Sequence, residues 1–325
     1  MSRSPRWRRR ALLLAGVAAA GLSLASLVKL SGDPDLNGST LRERRQRLES
    51  AEQVIRLGWT AWADAELVSV MAEQLIEEHF DVPVDRVMAD IGVQFESVAR
   101  GDLDLMLMAW LPVTHQEYWQ RVRGRVEDLG TIYTGRLGLV VPEFVPEEEV
   151  SSIADLADPV IAARFNNRIQ GIDPGSALND ATRAALTAYG IKDMRLVAGN
   201  LAVMAASLRQ AIDSQRWIVV TSLIPHWMFA TDRLRFLDDP LGVFGGTERI
   251  HGLGHAGFSQ RFPQIAAFLG RFEIPPEDFL GLMLAARQSS NQDAVRAYLA
   301  QHPERVRYWI SGAIGECREA TCPQP

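Results

Sequence analysis

Three tryptophans and one histidine hold the spacing on which selective chemistry could be built: Trp59, Trp62, Trp110 and His115. Trp110 and His115 fall in DLDLMLMAWLPVTHQEYWQ, Asp102 to Gln120. Leu103, Leu105 and Leu107 alternate there with Asp104, Met106 and Met108, so the run is expected to be a strand buried on both faces. Pro112 forbids simple continuation, and Thr114 is the expected N-cap of a helix carrying His115, Tyr118 and Trp119. Trp59 and Trp62 stand at the end of another predicted strand, Val54 to Thr60. Aromatic faces attract a desolvated organic cation by about 2 kcal/mol or more each, with no formal negative charge needed. A single Trp is ordinarily core filling, but three at adjacent strand ends lie where α/β sheets hold ligands.

A second run, GIDPGSALNDATRAAL, complements the first. It places Gly175 and Ser176 at a helix N-terminus directly after a strand, with free N–H groups from Gly175 to Leu178 and the helix dipole behind them. A carboxylate is the natural guest; a plain tight strand-to-helix turn is the competing reading.

AWLPVTH, with GWTAWADAE (Gly58 to Glu66), GLVVP (Gly138 to Pro142), GIDPGSA (Gly171 to Ala177) and IPHWMFA (Ile224 to Ala230), resembles the glycine betaine and quaternary-amine substrate-binding proteins of ABC importers. The resemblance runs from about Val54 to about Gly312. It implies the two-lobed, type II periplasmic-binding-protein fold, each lobe a mixed, mostly parallel sheet flanked by helices, with the ligand in the cleft between them. It also implies a periplasmic location, no cofactor, and as partners a permease and its ATPase at the inner membrane. Trp62 and Trp110 match the family's cage residues, and His115 matches the histidine that helps to hold the ligand's acid group. Ala177 and Leu178 match the backbone amides that do likewise. One position departs. The family has a Trp two residues before the Pro of PHW, where this chain reads TSLIPHW and places Leu223. A cage open on that side suits a bulkier or less cationic ligand unless Trp59 closes it. His226 and Trp227 are expected to support the loop. Two alternatives stay open: the same fold serving a non-quaternary zwitterion or osmolyte, and a membrane-anchored ligand-sensing domain.

The elements that must position these residues alternate. Strand signals at Val54–Thr60, Val84–Ala89 and Leu103–Trp110 are interleaved with helix signals at Asp64–Phe80, Gln94–Arg100 and Thr114–Arg123. Leu137–Val141 is the expected crossing into a second unit, where Arg168–Gly171, Met194–Val197 and Trp217–Thr221 alternate with helices Ser176–Tyr189 and Leu201–Ser214. Leu234–Leu237 is the expected return, followed by helices Phe262–Phe272, Glu277–Gln288 and Asp293–Gln301. Residues 54–140 with 240–312 form one expected lobe and 141–239 the other, a hinged clamp.

Bulk properties narrow the rest. With 325 residues the chain is long enough for two lobes with cores of their own. Its net charge of −6 includes a first thirty residues that hold five Arg and Lys29 with no acid; without them 28 basic side chains face 40 acidic ones. That balance argues against nucleic acid as a partner. The Arg-rich start and the apolar run Ala11 to Val28 read as a signal peptide or an uncleaved anchor. Residues 31–53 are an expected polar tether, and residues 313–325 a tail whose Cys317 and Cys322 suit a small disulfide in an oxidising compartment. No enzyme signal survives. GLGHAG follows GGTERIH rather than an apolar strand, HGLGH lacks the Glu of HExxH, and no P-loop Lys, GxSxG or CxxC is present.

Overall fold

The computed structural model describes residues 38–313. Within the segment read as a polar tether, Gly38–Ser50 is helical (α1), and its Arg44 pairs with Glu73 and donates to the Val84 carbonyl. Strand β1 (Ile55–Trp59) leads into helix α2 (Ala63–Phe80), whose stripe of Leu67, Val68, Met71, Leu75 and Ile76 is withdrawn from water as its periodicity predicts. Next come β2 (Val84–Met88), α3 (Ile91–Arg100) and β3 (Leu105–Leu111), every residue of which is buried. A strand with no polar side chain can be covered on both faces, and this one is.

After α4 (Gln116–Val122) the chain enters the 17-residue strand β4 (Val126–Pro142). A short 3-10 turn at Ile153–Ala157 precedes α5 (Pro159–Arg164), β5 (Arg168–Gln170), α6 (Ala177–Ala188), β6 (Arg195–Val197), α7 (Leu201–Asp213) and β7 (Val219–Ile224). Then follow α8 (Met228–Thr231), β8 (Leu234–Phe236) and the return strand β9 (Thr247–His255). Helices α9 (Phe258–Arg261), α10 (Pro263–Leu269), α11 (Pro276–Gln288), α12 (Asn291–Gln301) and α13 (Pro303–Ser311) close the described chain, with α10, α11 and α12 packed against α2.

The strands form one mixed sheet in the order β2-β1-β3-β9-β4-β7-β5-β6, with β8 on β4. Both ends of that order are parallel, β2-β1-β3 and β7-β5-β6, while every pair in the middle is antiparallel. Strand β4 joins the halves by changing neighbours. Val126 to Arg136 pair with β9, then Arg136 to Val140 pair with β7 and Val140 to Pro142 with β8.

Three local expectations are corrected. Thr114 does not cap a helix: His115 occupies the N-cap position of α4, and the Thr114 hydroxyl is turned to Glu248 instead. The expected helix Phe262–Phe272 starts at Pro263, with Phe262 as its N-cap, and ends early at Leu269. TERIHGLGH, not read as a strand because GGTERIH is not apolar, is the central strand β9. Its glycines are what disguised it. A Cβ on Gly252 would lie 3.1 Å from Leu107 Cδ2 and one on Gly254 2.8 Å from the Phe258 Cβ, so tight packing at both positions demands the residue that local propensity disfavours. The N-terminal segment and the tail with Cys317 and Cys322 lie outside the described residues. Among the described residues no helix is long and apolar enough to cross a membrane.

Candidate ligand-binding site

Trp110 stands near the end of β3, 2 % exposed, and is fixed by the closed loop from Trp110 to His115. Its N–H donates to His115 Nδ1 at 3.0 Å, and the His115 N–H donates back to its carbonyl at 3.0 Å. Between them the Leu111–Pro112 peptide is cis, and the buried Glu248 of β9 holds the loop's crest. One Glu248 carboxylate oxygen accepts from the N–H groups of Val113 and Thr114, each at 2.8 Å, and the other accepts the Thr114 hydroxyl. Burial pushes the His115 imidazole down to about 3, against a smaller upward pull from the Met108 carbonyl. The ring is therefore neutral, and with Nδ1 accepting, Nε2 carries the proton.

Trp62 enters from the neighbouring strand end, half-buried, at the N-cap position of α2. Two residues on, Asp64 is 2 % exposed and accepts the Tyr133 hydroxyl at 2.7 Å. Burial raises the Asp64 carboxyl above its ordinary range, the Tyr133 hydrogen bond opposing. The Tyr133 ring meets Trp110 edge-on with centroids 6.1 Å apart.

The opposite wall is built on α6. Ser176 is its N-cap, with Oγ accepting from Asn179 N–H at 3.3 Å. Among the described residues no acceptor takes the N–H groups of Ala177 and Leu178, the first two of the helix. The wholly buried Asn179 ties the preceding loop down, accepting from Ile172 N–H at 3.2 Å and donating to the Ile172 and Asp173 carbonyls at 2.8 and 2.9 Å. Gly171 makes room for it, since a Cβ there would lie 2.5 Å from Asn179 Oδ1.

A single cavity is lined by Trp62, Asp64, Trp110, Thr114 and His115 from one half of the sheet and by Ser176, Ala177, Leu178, Leu223 and His226 from the other. Leu223 pairs in register with Leu137, and the two, with Ile172 and Leu201, make an aliphatic side to it. Seven of the residues singled out from sequence are thus brought together. Trp59 and Gly175 are not among them. Trp59 is buried with the Arg86 guanidinium 5.5 Å from its ring centroid, so it does not close the side left open at Leu223. Asp64, Tyr133, Asn179 and Glu248 were not singled out; an acid in a first helical turn or a Tyr within a long strand carries no local mark of a site.

The cavity brings together two indoles, a buried carboxyl, a neutral imidazole and two free helix N–H groups. It suits a small zwitterion with an apolar cationic head. Among the described residues no group of His, Cys, Asp and Glu is placed to hold a metal ion.

Residues 53–301 match the family described as the substrate binding domain of the ABC-type glycine betaine transport system. A glycine betaine/carnitine transport binding protein of Listeria monocytogenes serotype 1/2a (strain 10403S) is 32% identical over 155 residues, which is 47% of this chain and 52% of the relative, so the chain matches about half that relative's length. Lactococcal OpuAC, in its closed-liganded conformation with glycine betaine, superposes with a TM-score of 0.73 at 28% identity, over 80% of this chain and 100% of its own. The glycine betaine/L-proline-binding protein ProX of Borrelia burgdorferi superposes with a TM-score of 0.73 at 26% identity, over 79% of this chain and 97% of its own. The fold is the two-lobed type II periplasmic-binding-protein fold, with a mixed α/β sheet. The chain belongs to the family of substrate-binding domains of ABC-type glycine betaine transport systems.

Proposed function

We propose that this chain is the extracytoplasmic receptor of an ABC importer and binds glycine betaine or a related quaternary-ammonium zwitterion between its lobes. Trp62 and Trp110 stack on the methylated head, and the N–H groups of Ala177 and Leu178, with His115 Nε2, take the carboxylate. The observation that carries this reading is the meeting of two indoles and a free helix N-terminus from opposite halves of the sheet in one cavity. Residues 54–140 with 240–312 and residues 141–239 act as the two jaws, and closure presents a docking face to a permease driven by an ATPase. The first thirty residues deliver the chain across the membrane or hold it there.

The aliphatic side formed by Leu223 and Leu137 favours a second reading, in which the preferred ligand carries more apolar bulk or less charge than glycine betaine. Tryptophan fluorescence of the chain from Ser31 onward, titrated with glycine betaine, choline, carnitine and free amino acids, separates the two. A saturable change with a methylated zwitterion that Trp110→Ala abolishes supports the first. Silence with every onium compound in folded protein rejects it.

A further inference from the structure

His226, a residue expected from sequence only to support its loop, lines the cage cavity three positions after Leu223. It is 5 % exposed, and one ring nitrogen is committed: the Met228 N–H donates to Nδ1 at 3.4 Å. With Nδ1 accepting, the neutral ring carries its proton on Nε2. Among the described residues no group accepts from Nε2, and this nitrogen is not one of the side-chain atoms sealed away without a partner. The unspent N–H therefore opens on the cavity that the residue lines.

A stack that crosses between the two halves of the chain holds the ring. Its centroid lies 5.2 Å from that of Trp227, with the planes 38° apart, and the Arg287 guanidinium carbon of α11 lies 3.6 Å from the Trp227 ring centroid. Helix α8, for which Trp227 is the N-cap, packs on α11. A donor fixed before the ligand arrives loses little freedom on binding. Burial first, and then the Arg287 charge, push the imidazole down to about 4, so the ring is uncharged at neutral pH. That suits this cavity. A Lys or Arg here would repel a cationic head on Trp62 and Trp110, whereas a neutral imidazole offers an N–H without a charge.

We infer that His226 is a further ligand-binding residue, its Nε2–H donating to the carboxylate of the zwitterion from the Leu223 side of the cage. A quaternary head has no acceptor, so the carboxylate is the one group of glycine betaine that an N–H can meet. The cavity has about 60 Å³ of room, and Ala177 and Leu178, the other carboxylate donors of lobe 2, line it as well. This rests on the cage reading given above and deepens it by adding a donor to the anion end.

The test titrates glycine betaine, and tetramethylammonium as the same head without the carboxylate, into the wild-type chain, His226→Phe and His226→Gln by calorimetry. His226→Phe keeps a ring on Trp227 and removes the donor. It should weaken glycine betaine by about tenfold or more, as for a hydrogen bond to a charged group, and tetramethylammonium by less than about twofold. His226→Gln, which keeps an N–H, should recover part of the loss. Equal weakening of both probes by His226→Phe would mean that the residue only supports its loop, and overturns the inference, as does unchanged affinity for glycine betaine. Nitrogen-15 NMR of the histidine-labelled wild-type chain asks the same question without a variant: the His226 Nε2–H signal should shift as glycine betaine is added. A signal that stays still while glycine betaine binds overturns the inference and leaves the cage reading standing. A wild-type chain that binds neither probe overturns both.

Discussion

The Tyr133 hydroxyl donates to Asp64 at 2.7 Å across 69 residues of chain, and neither side chain is open to water. Tyr133 also presents its ring to the edge of Trp110, so one phenol serves both the buried acid and the indole. Tyr133→Phe removes the donor while keeping the ring. Removing this donor from the buried carboxyl should cost about 1–3 kcal/mol in urea unfolding, with weaker ligand binding from a less firmly oriented Trp110. Unchanged unfolding would mean that Asp64 is satisfied elsewhere.

Asp64 should also make binding depend on pH. Burial raises its folded-state pKa, so the stability linked to this group is present below the ordinary carboxylate range and is lost as pH rises through the raised value. A cation bound in the adjacent cage favours the ionised form. Affinity for a quaternary amine should therefore climb with pH through that range and level off above it. Asp64→Asn should flatten the climb and lower the plateau; calorimetry from pH 5 to 8 reads both, and a wild-type profile already flat would remove Asp64 from the site.

Glu248 clamps the loop that separates Trp110 from His115 through two backbone amides and the Thr114 hydroxyl. Glu248→Ala should cost about 2 kcal/mol in stability and weaken ligand binding more than its distance from the ligand suggests, because the loop's crest is released. Glu248→Gln, which keeps an acceptor oxygen, should recover part of both. Identical behaviour of the two variants would argue that the clamp is not what positions the loop.

His115 and His226 set the acid limb of stability. Both fall below the ordinary imidazole value of 6.5, to about 3 and about 4, chiefly because burial disfavours the charged ring. Depressed folded-state values mean stability that is fully present above about pH 6.5 and lost as pH falls through that value toward 4 and 3. Near pH 5 unfolding should take up about two protons on these rings. His115→Asn should remove about one of them, visible as a shallower fall of the melting temperature between pH 6.5 and 4.5; an unaltered slope would show that the ring is not buried neutral.

Leu223→Trp adds an aromatic face on the cage's aliphatic side. Binding of glycine betaine should tighten by roughly tenfold, in line with one added cation–π contact of about 1–2 kcal/mol. Ligands with bulkier heads should bind less well, because the new ring takes up their space. Loss of affinity for every ligand would mean that the aliphatic wall is already fitted to its cargo.

Much of the site was legible because its parts are local. Trp62, Trp110 and the Gly-Ser turn before α6 sit at strand ends and a helix start, positions that chain punctuation marks, and the short motifs around them carry the family resemblance. Trp59 shows where local reading needed one more step. It shares strand parity with Ile55 and Leu57, which are wholly buried, so β1 turns it into the core, whereas Trp62 lies past the strand end and is free to face the cleft. Thr114 and β9 were misread for a different reason. A hydroxyl's partner and a glycine's necessity both depend on what packs against them, here Glu248 from a strand 134 residues away and Leu107 from another.

By itself the sequence determined the alternation of strands and helices, the two indoles, the helix start at Ser176 and the departure at Leu223, since each follows from residue type and near neighbours. Only the tertiary structure decided that Leu223 lies in register with Leu137, that Asp64 is buried against Tyr133, and that Arg287 stacks on Trp227. Burial, register and the pKa shifts that follow from them are set by the groups that cover a residue. Those groups come from distant parts of the chain, and no local pattern names them.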